Sequence, residues 1–116
     1  MSEILTPAKI EDRLYQLSKE LDSAHKERIS DENSYYSAKS EFEIGLAKAR
    51  LALMKSETKM NADEKNAQVT VDCEVQVRAM NIADAKLKAS RANLERIKVQ
   101  ADIARTLSAS VRESSK

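Results

Sequence analysis

The sequence predicts an all-α protein: two long amphipathic helices in an antiparallel hairpin, coiled-coil-like and oligomeric. Three observations carry this. Among 116 residues there are one Gly and one Pro, so few places permit a chain reversal. Charged residues make up 34% and aromatics 3%, the composition of long helices. Apolar residues recur in steps of four and three, the spacing that keeps one helix face on a partner. Two such helices bury only a thin core, so association is expected to supply further stability.

Taken in order, Thr6-Pro7 makes a helix start, Thr as cap and Pro at the first helical position. Ile10, Leu14, Leu17, Leu21, Ala24 and Arg28 then form a heptad seam that ends on a charge. The polar stretch 30–34 caps a new helix or marks a kink. The stripe resumes at Tyr35, Ala38, Phe42, Gly45, Ala49, Leu53 and Met60, with Ile44, Leu46 and Leu51 widening it. This predicts a first helix over 7–60. Asn61 tolerates the left-handed conformation that ends helices, and Asp63-Glu64 suits a restart, so the turn falls at 61–63. A second helix over 64–107 has its own seam: Ala83, Leu87, Ser90, Leu94, Ile97, Ala101, Ala104, Ser108 and Val111. Its small residues imply close helix approach or a partner that supplies bulk. The polar tail 108–116 is expected to fray. All of this fits one domain, 1–116.

Residues 69–77 carry a second possibility. Val69, Val71, Cys73, Val75 and Val77 alternate with polar residues, a period of two that suits a strand. A lone strand has no pairing partner within the chain, so helix is the reading kept.

Charge supports the hairpin. Residues 1–43 hold six basic and ten acidic side chains (net −4), and 44–59 hold four and one (net +3). Residues 60–84 hold two and five (net −3), and 85–112 hold seven and two (net +5). A reversal near Asn61 sets each block beside its opposite, whereas a parallel pair stacks like on like.

Enzymatic chemistry finds no foothold. His25 is the only histidine and reads as a surface residue; Cys73 has no second cysteine and no neighbouring histidine. Nothing suggests a cofactor or a metal. The single cysteine fits a reducing cytosol, no segment is apolar enough for a membrane span, and a cytoplasmic location is expected. Binding surfaces are better supported. Lys48, Arg50, Lys55 and Lys59 cluster at the end of the first helix with one acid, Glu57, among them. Spacings of seven and four put Lys48, Lys55 and Lys59 on one helical face. Gly45, one turn earlier, marks a bend or a close approach. Tyr35, Tyr36 and Phe42 lie just upstream. Cations beside aromatics can grip phosphates and stack single-stranded bases, or the aromatics are core and the cations balance the opposite arm. The second basic set, Lys86, Lys88, Arg91, Arg96, Lys98, Arg105 and Arg112, spreads around its helix, and pairing with the acidic N-terminal arm explains it.

The segment Leu46-Ala47-Lys48-Ala49-Arg50-Leu51 resembles the Leu-Lys-Ala-Arg-Leu stretch of the UvsY family of phage recombination mediators. The tetrapeptide Lys48-Ala49-Arg50-Leu51 matches, the preceding Leu is displaced by one residue, and Ala52-Leu53 stand where the family has an aromatic pair. The resemblance implies a closed homo-oligomer that binds single-stranded DNA and helps a recombinase displace single-strand-binding protein, inside a phage-infected bacterium. Lys48 and Arg50 would contact phosphates, with Lys55 and Lys59 extending the surface. The alternatives are a chaperone-like coiled-coil scaffold that binds only proteins, whose assembly charges at Leu87 and Leu94 would dissolve, or a small helical inhibitor of a host enzyme.

Overall fold

The computed structural model describes residues 6–56 and 59–114. Three helices follow in order: α1 (Pro7–Lys55), α2 (Ala62–Asp72) and α3 (Glu74–Ser114). No described residue is in a strand. The chain is an all-α helical hairpin in which α2 and α3 return along α1.

Helix α1 starts where the capping logic places it. The Lys9 amide donates to Thr6 Oγ1 at 3.2 Å and the Ile10 amide to the Thr6 carbonyl at 3.1 Å. It stops at Lys55 rather than at Met60. The inward row runs through Ala49 and Leu53, and its next position is the polar Ser56, whose burial gains nothing. Asn61, not Asp63, caps α2: its backbone is extended and its side-chain oxygen accepts from the Glu64 amide at 2.8 Å. The Asn61 amide group returns a bond to Glu64 Oε1 at 3.2 Å. Asp63 and Glu64 then occupy the first turn, where carboxylates favour the helix dipole.

The alternating segment is helical. A single residue, Cys73, interrupts it (φ −101°, ψ 13°), yet helical bonds cross the interruption: Cys73 N–H to Val69 O at 3.1 Å and Val77 N–H to Cys73 O at 2.9 Å. The valines divide between two faces. Val69 and Cys73 are buried while Val71 and Val75 face out. At the C-terminus the helix continues to Ser114 instead of fraying from Ser108. Ser108 is buried and Val111 half-buried, so the inward row holds the tail.

Contacts divide the chain into two compact units. The first joins Met1–Ile29 with Ala89–Lys116. Its core is Leu17, Ala24, Leu94, Ile97, Ala101 and Ala104, with Leu14 and Leu21 packed against it. The small residues of α3 thus receive the leucines of α1, which supply the missing bulk. Arg13 donates to Gln100 at 3.4 Å, placing the start of α1 beside the last third of α3, antiparallel.

The second unit is Ser30–Lys88. Asp31, Ser34 and Ala38 share a hollow with Ala79, Ile82, Ala83 and Lys86. Further along, Gly45 meets Gln76, so this pairing is antiparallel too. Val69, Cys73, Ala83 and Leu87 are its buried residues, and Tyr35, Phe42, Leu46 and Leu53 are half-buried.

Candidate nucleic-acid interface

The end of α1 lies in the second unit. Lys48, Arg50 and Lys55 are exposed on the helix and Lys59 is exposed in the connection beyond it. Among the described residues none of the four makes an ion pair. Most cations of α3 behave differently, Lys86 excepted. Lys88 pairs with Asp84 at 2.9 Å, Lys98 with Glu95 at 3.5 Å and Arg105 with Asp102 at 3.1 Å, while Arg96 donates to Asn93. These partners are three or four residues away on the same helix, not on the acidic N-terminal arm that charge balance suggested. Such exposed pairs contribute about 0.3–0.5 kcal/mol each.

The four cations do not form one patch. Lys48 and Lys55, a heptad apart, share a side of α1. A two-residue step turns the helix by ~200°, so Arg50 lies on the other side. Lys59 joins neither side by helical spacing, because the helix ends four residues earlier. Between the two cationic sides runs an apolar strip: Ile44, Leu51 and Met54 are 55%, 54% and 79% exposed. Ile44 and Leu51 therefore do not widen the buried stripe, as their proximity to it suggested; they point away from it. The signal was present in the spacing. Ile44, Ala47, Leu51 and Met54 keep steps of three and four, two residues out of phase with the inward row Phe42, Gly45, Ala49.

The aromatics divide in the same way. Tyr35 and Phe42 are half-buried on the inward row. Only Tyr36 of this group faces out, with its ring edge-on to Tyr35 at 5.4 Å between centroids. Tyr36 and Arg50 are two heptads apart, hence on one side of α1 and ~21 Å distant along it.

Gly45 marks close approach rather than a bend. Its φ is not positive, α1 runs through it, and a Cβ there would meet Gln76 Cγ and Cδ at 3.6 Å, an ordinary contact. Gly45→Ala is therefore expected to stabilise the protein by about 0.5–1 kcal/mol, seen as a raised urea midpoint. A lowered midpoint would mean that Gln76 cannot accommodate the methyl group. Lys48 borders the same cleft, with Glu41, Ile44 and Gln76.

Elsewhere, His25 is half-buried on α1 and Cys73 is buried with a free thiol. No group of three His, Cys, Asp or Glu side chains converges among the described residues. No helix among them is long and apolar enough to cross a membrane. No known family model, curated protein or solved structure matches this chain. The likeness to the UvsY family thus rests on Lys48-Ala49-Arg50-Leu51 alone.

Proposed function

We propose that this chain binds single-stranded DNA through the end of α1, as a recombination accessory of the mediator type. The observation that carries the reading is the contrast in cation pairing. Lys86 apart, the cations of α3 named above are held by their own helix, whereas Lys48, Arg50, Lys55 and Lys59 have no ion-pair partner among the described residues. Unpaired cations can exchange their counterions for phosphates, and that exchange drives polyanion binding. Phosphates lie against Lys48 and Lys55 on one side and Arg50 on the other, while Leu51 and Met54 offer apolar support to sugars and base edges. Each site is weak, and repetition in a homo-oligomer raises the overall affinity. Loading a recombinase against single-strand-binding protein, in a phage-infected cell, is the role that the family likeness adds.

Fluorescence anisotropy of a labelled ~30-nucleotide strand, titrated at two salt concentrations, tests the reading. Binding is expected to weaken steeply with salt. The combined Lys48→Ala, Arg50→Ala and Lys55→Ala variant should bind at least tenfold more weakly, with a salt slope lower by about three contacts. Absence of binding at low salt, or an unchanged constant in the variant, would overturn it. The exposed Ile44, Leu51 and Met54 favour a second reading, a scaffold that takes a protein on this strip. Under that reading, charge introduced at Leu51 abolishes partner capture and the cations are dispensable.

A further inference from the structure

Helix α3 has two apolar rows, and the fold uses one of them. The inward row packs on α1. The outward row begins in the acidic part of the chain with Val71 at the end of α2 and Val75, Ile82 and Ala85 on α3; the three larger members are 65%, 76% and 59% exposed. It continues in the basic part with Ala89, Ala92, Val99 and Ile103, the last two being 55% and 56% exposed. The positions keep heptad phase, and only Arg78 and Arg96 interrupt them. Each arginine is engaged within its own helix, Arg78 with Glu74 and Arg96 with Asn93. The corresponding outward positions of α1 are polar over most of its length, for example Gln16, Lys19, Ser23, Lys26, Ser37 and Ser40. Solvent alone explains the back of α1. It does not explain a second heptad row of valine, isoleucine and alanine on α3.

We infer that this row is the contact surface for a second copy of the chain, its α3 lying antiparallel. Charge selects both the occupant and its direction. Residues 60–84 carry two basic and five acidic side chains (net −3), and residues 85–112 carry seven and two (net +5). An antiparallel copy lays its basic half over the acidic half, and the reverse. A parallel copy sets −3 on −3 and +5 on +5. Side-chain size fixes the centre. Ala85, Ala89 and Ala92 are the smallest members and permit close approach of two backbones, with larger residues on both sides. Val75 and Ile103 are equidistant from Ala89 in sequence, so with Ala89 at the centre each Val75 faces the partner's Ile103. The contact is then the same patch on both copies and closes as a two-fold dimer. This surface is separate from the end of α1 and does not depend on the DNA-binding reading.

Sedimentation equilibrium of the full chain over a range of concentrations tests the assignment, with Val75→Glu and Ile103→Lys made separately. The wild-type protein is expected at twice its 13.0 kDa chain mass or a multiple of that. Each variant alone should dissociate at least tenfold more readily, because a charge enters an apolar contact without a partner. An equimolar mixture of the two should recover association to within a few-fold of wild type, since the new carboxylate then faces the new ammonium and the other end of the contact is native. Recovery on mixing holds even where a variant alone folds poorly, so misfolding cannot mimic it. A wild-type protein that stays monomeric, variants that associate as wild type does, or a mixture no tighter than its components would each overturn the inference.

Discussion

A Leu94→Asp variant is expected to lose most of its far-UV helical signal at room temperature, or to melt far below wild type. Leu94 is 4% exposed and sits in the core of the first unit with Leu17, Ala24 and Ile97. A carboxylate there forfeits the transfer energy of the leucine and must be ionised without a partner or protonated at a cost. Substitutions of this kind reach about 4–5 kcal/mol or more, a large share of the 5–15 kcal/mol that usually holds a domain. Gln16→Asp, on an exposed position of α1, is the matched control and should stay within about 0.5 kcal/mol of wild type. Circular dichroism melts decide between them. A Leu94→Asp protein with a wild-type melt would show that the α1–α3 seam does not hold the unit together. The location changes the meaning of this substitution. Under a scaffold reading of the sequence, charge at Leu87 or Leu94 dissolves an assembly. Both side chains are buried within a single chain, so the first property to fail should be the hairpin itself.

Leu17→Ala should cost 2–5 kcal/mol, read from the urea midpoint at unchanged slope. Leu17 is 1% exposed and belongs to the core cluster of Ala24, Leu94, Ile97, Ala101 and Ala104, where its removal leaves a cavity. Tyr15→Ala is the useful comparison. Tyr15 is a larger residue two positions earlier but 64% exposed, its ring covered by Lys19 at 4.5 Å. Its removal should cost less than 1 kcal/mol, despite the greater volume deleted. If the two losses are equal, the burial that distinguishes inward from outward rows is not what stabilises the protein.

These contrasts show which parts of the fold were legible. The helical class followed from composition, and the N-terminal start from Thr6-Pro7, because both depend on local chemistry. The inward rows of both helices were legible as heptads from Ile10 to Ala49 and from Ala83 to Val111. The end of α1 was not, because Met60 keeps the heptad spacing from Leu53 although the helix stops at Lys55, before the polar Ser56. At Val69–Val77 one pattern fitted two structures. A period of two satisfies a strand, and in a helix it places Val69 and Cys73 inside with Val71 and Val75 outside. At the candidate site, the cluster of four cations was visible as a charge imbalance. Its division by an apolar strip showed only in the spacing of Ile44, Ala47, Leu51 and Met54, because Lys48 and Arg50 are close in sequence and nearly opposite on a helix.

A helical chain, a reversal near Asn61 and charge blocks that suit an antiparallel return all follow from the order of residues alone. Each of these depends on side chains close together in sequence, or on sums over long segments that a shift of a few residues does not alter. Tertiary structure decided which apolar residues are spent on the hairpin and which are left over. Ile44, Leu51 and Met54 on α1, and Val71, Val75, Ile82, Val99 and Ile103 on α2 and α3, are as apolar as the residues they neighbour. They differ only in direction, and a helix has one direction per residue but no label saying which side meets a partner until the second helix is in place.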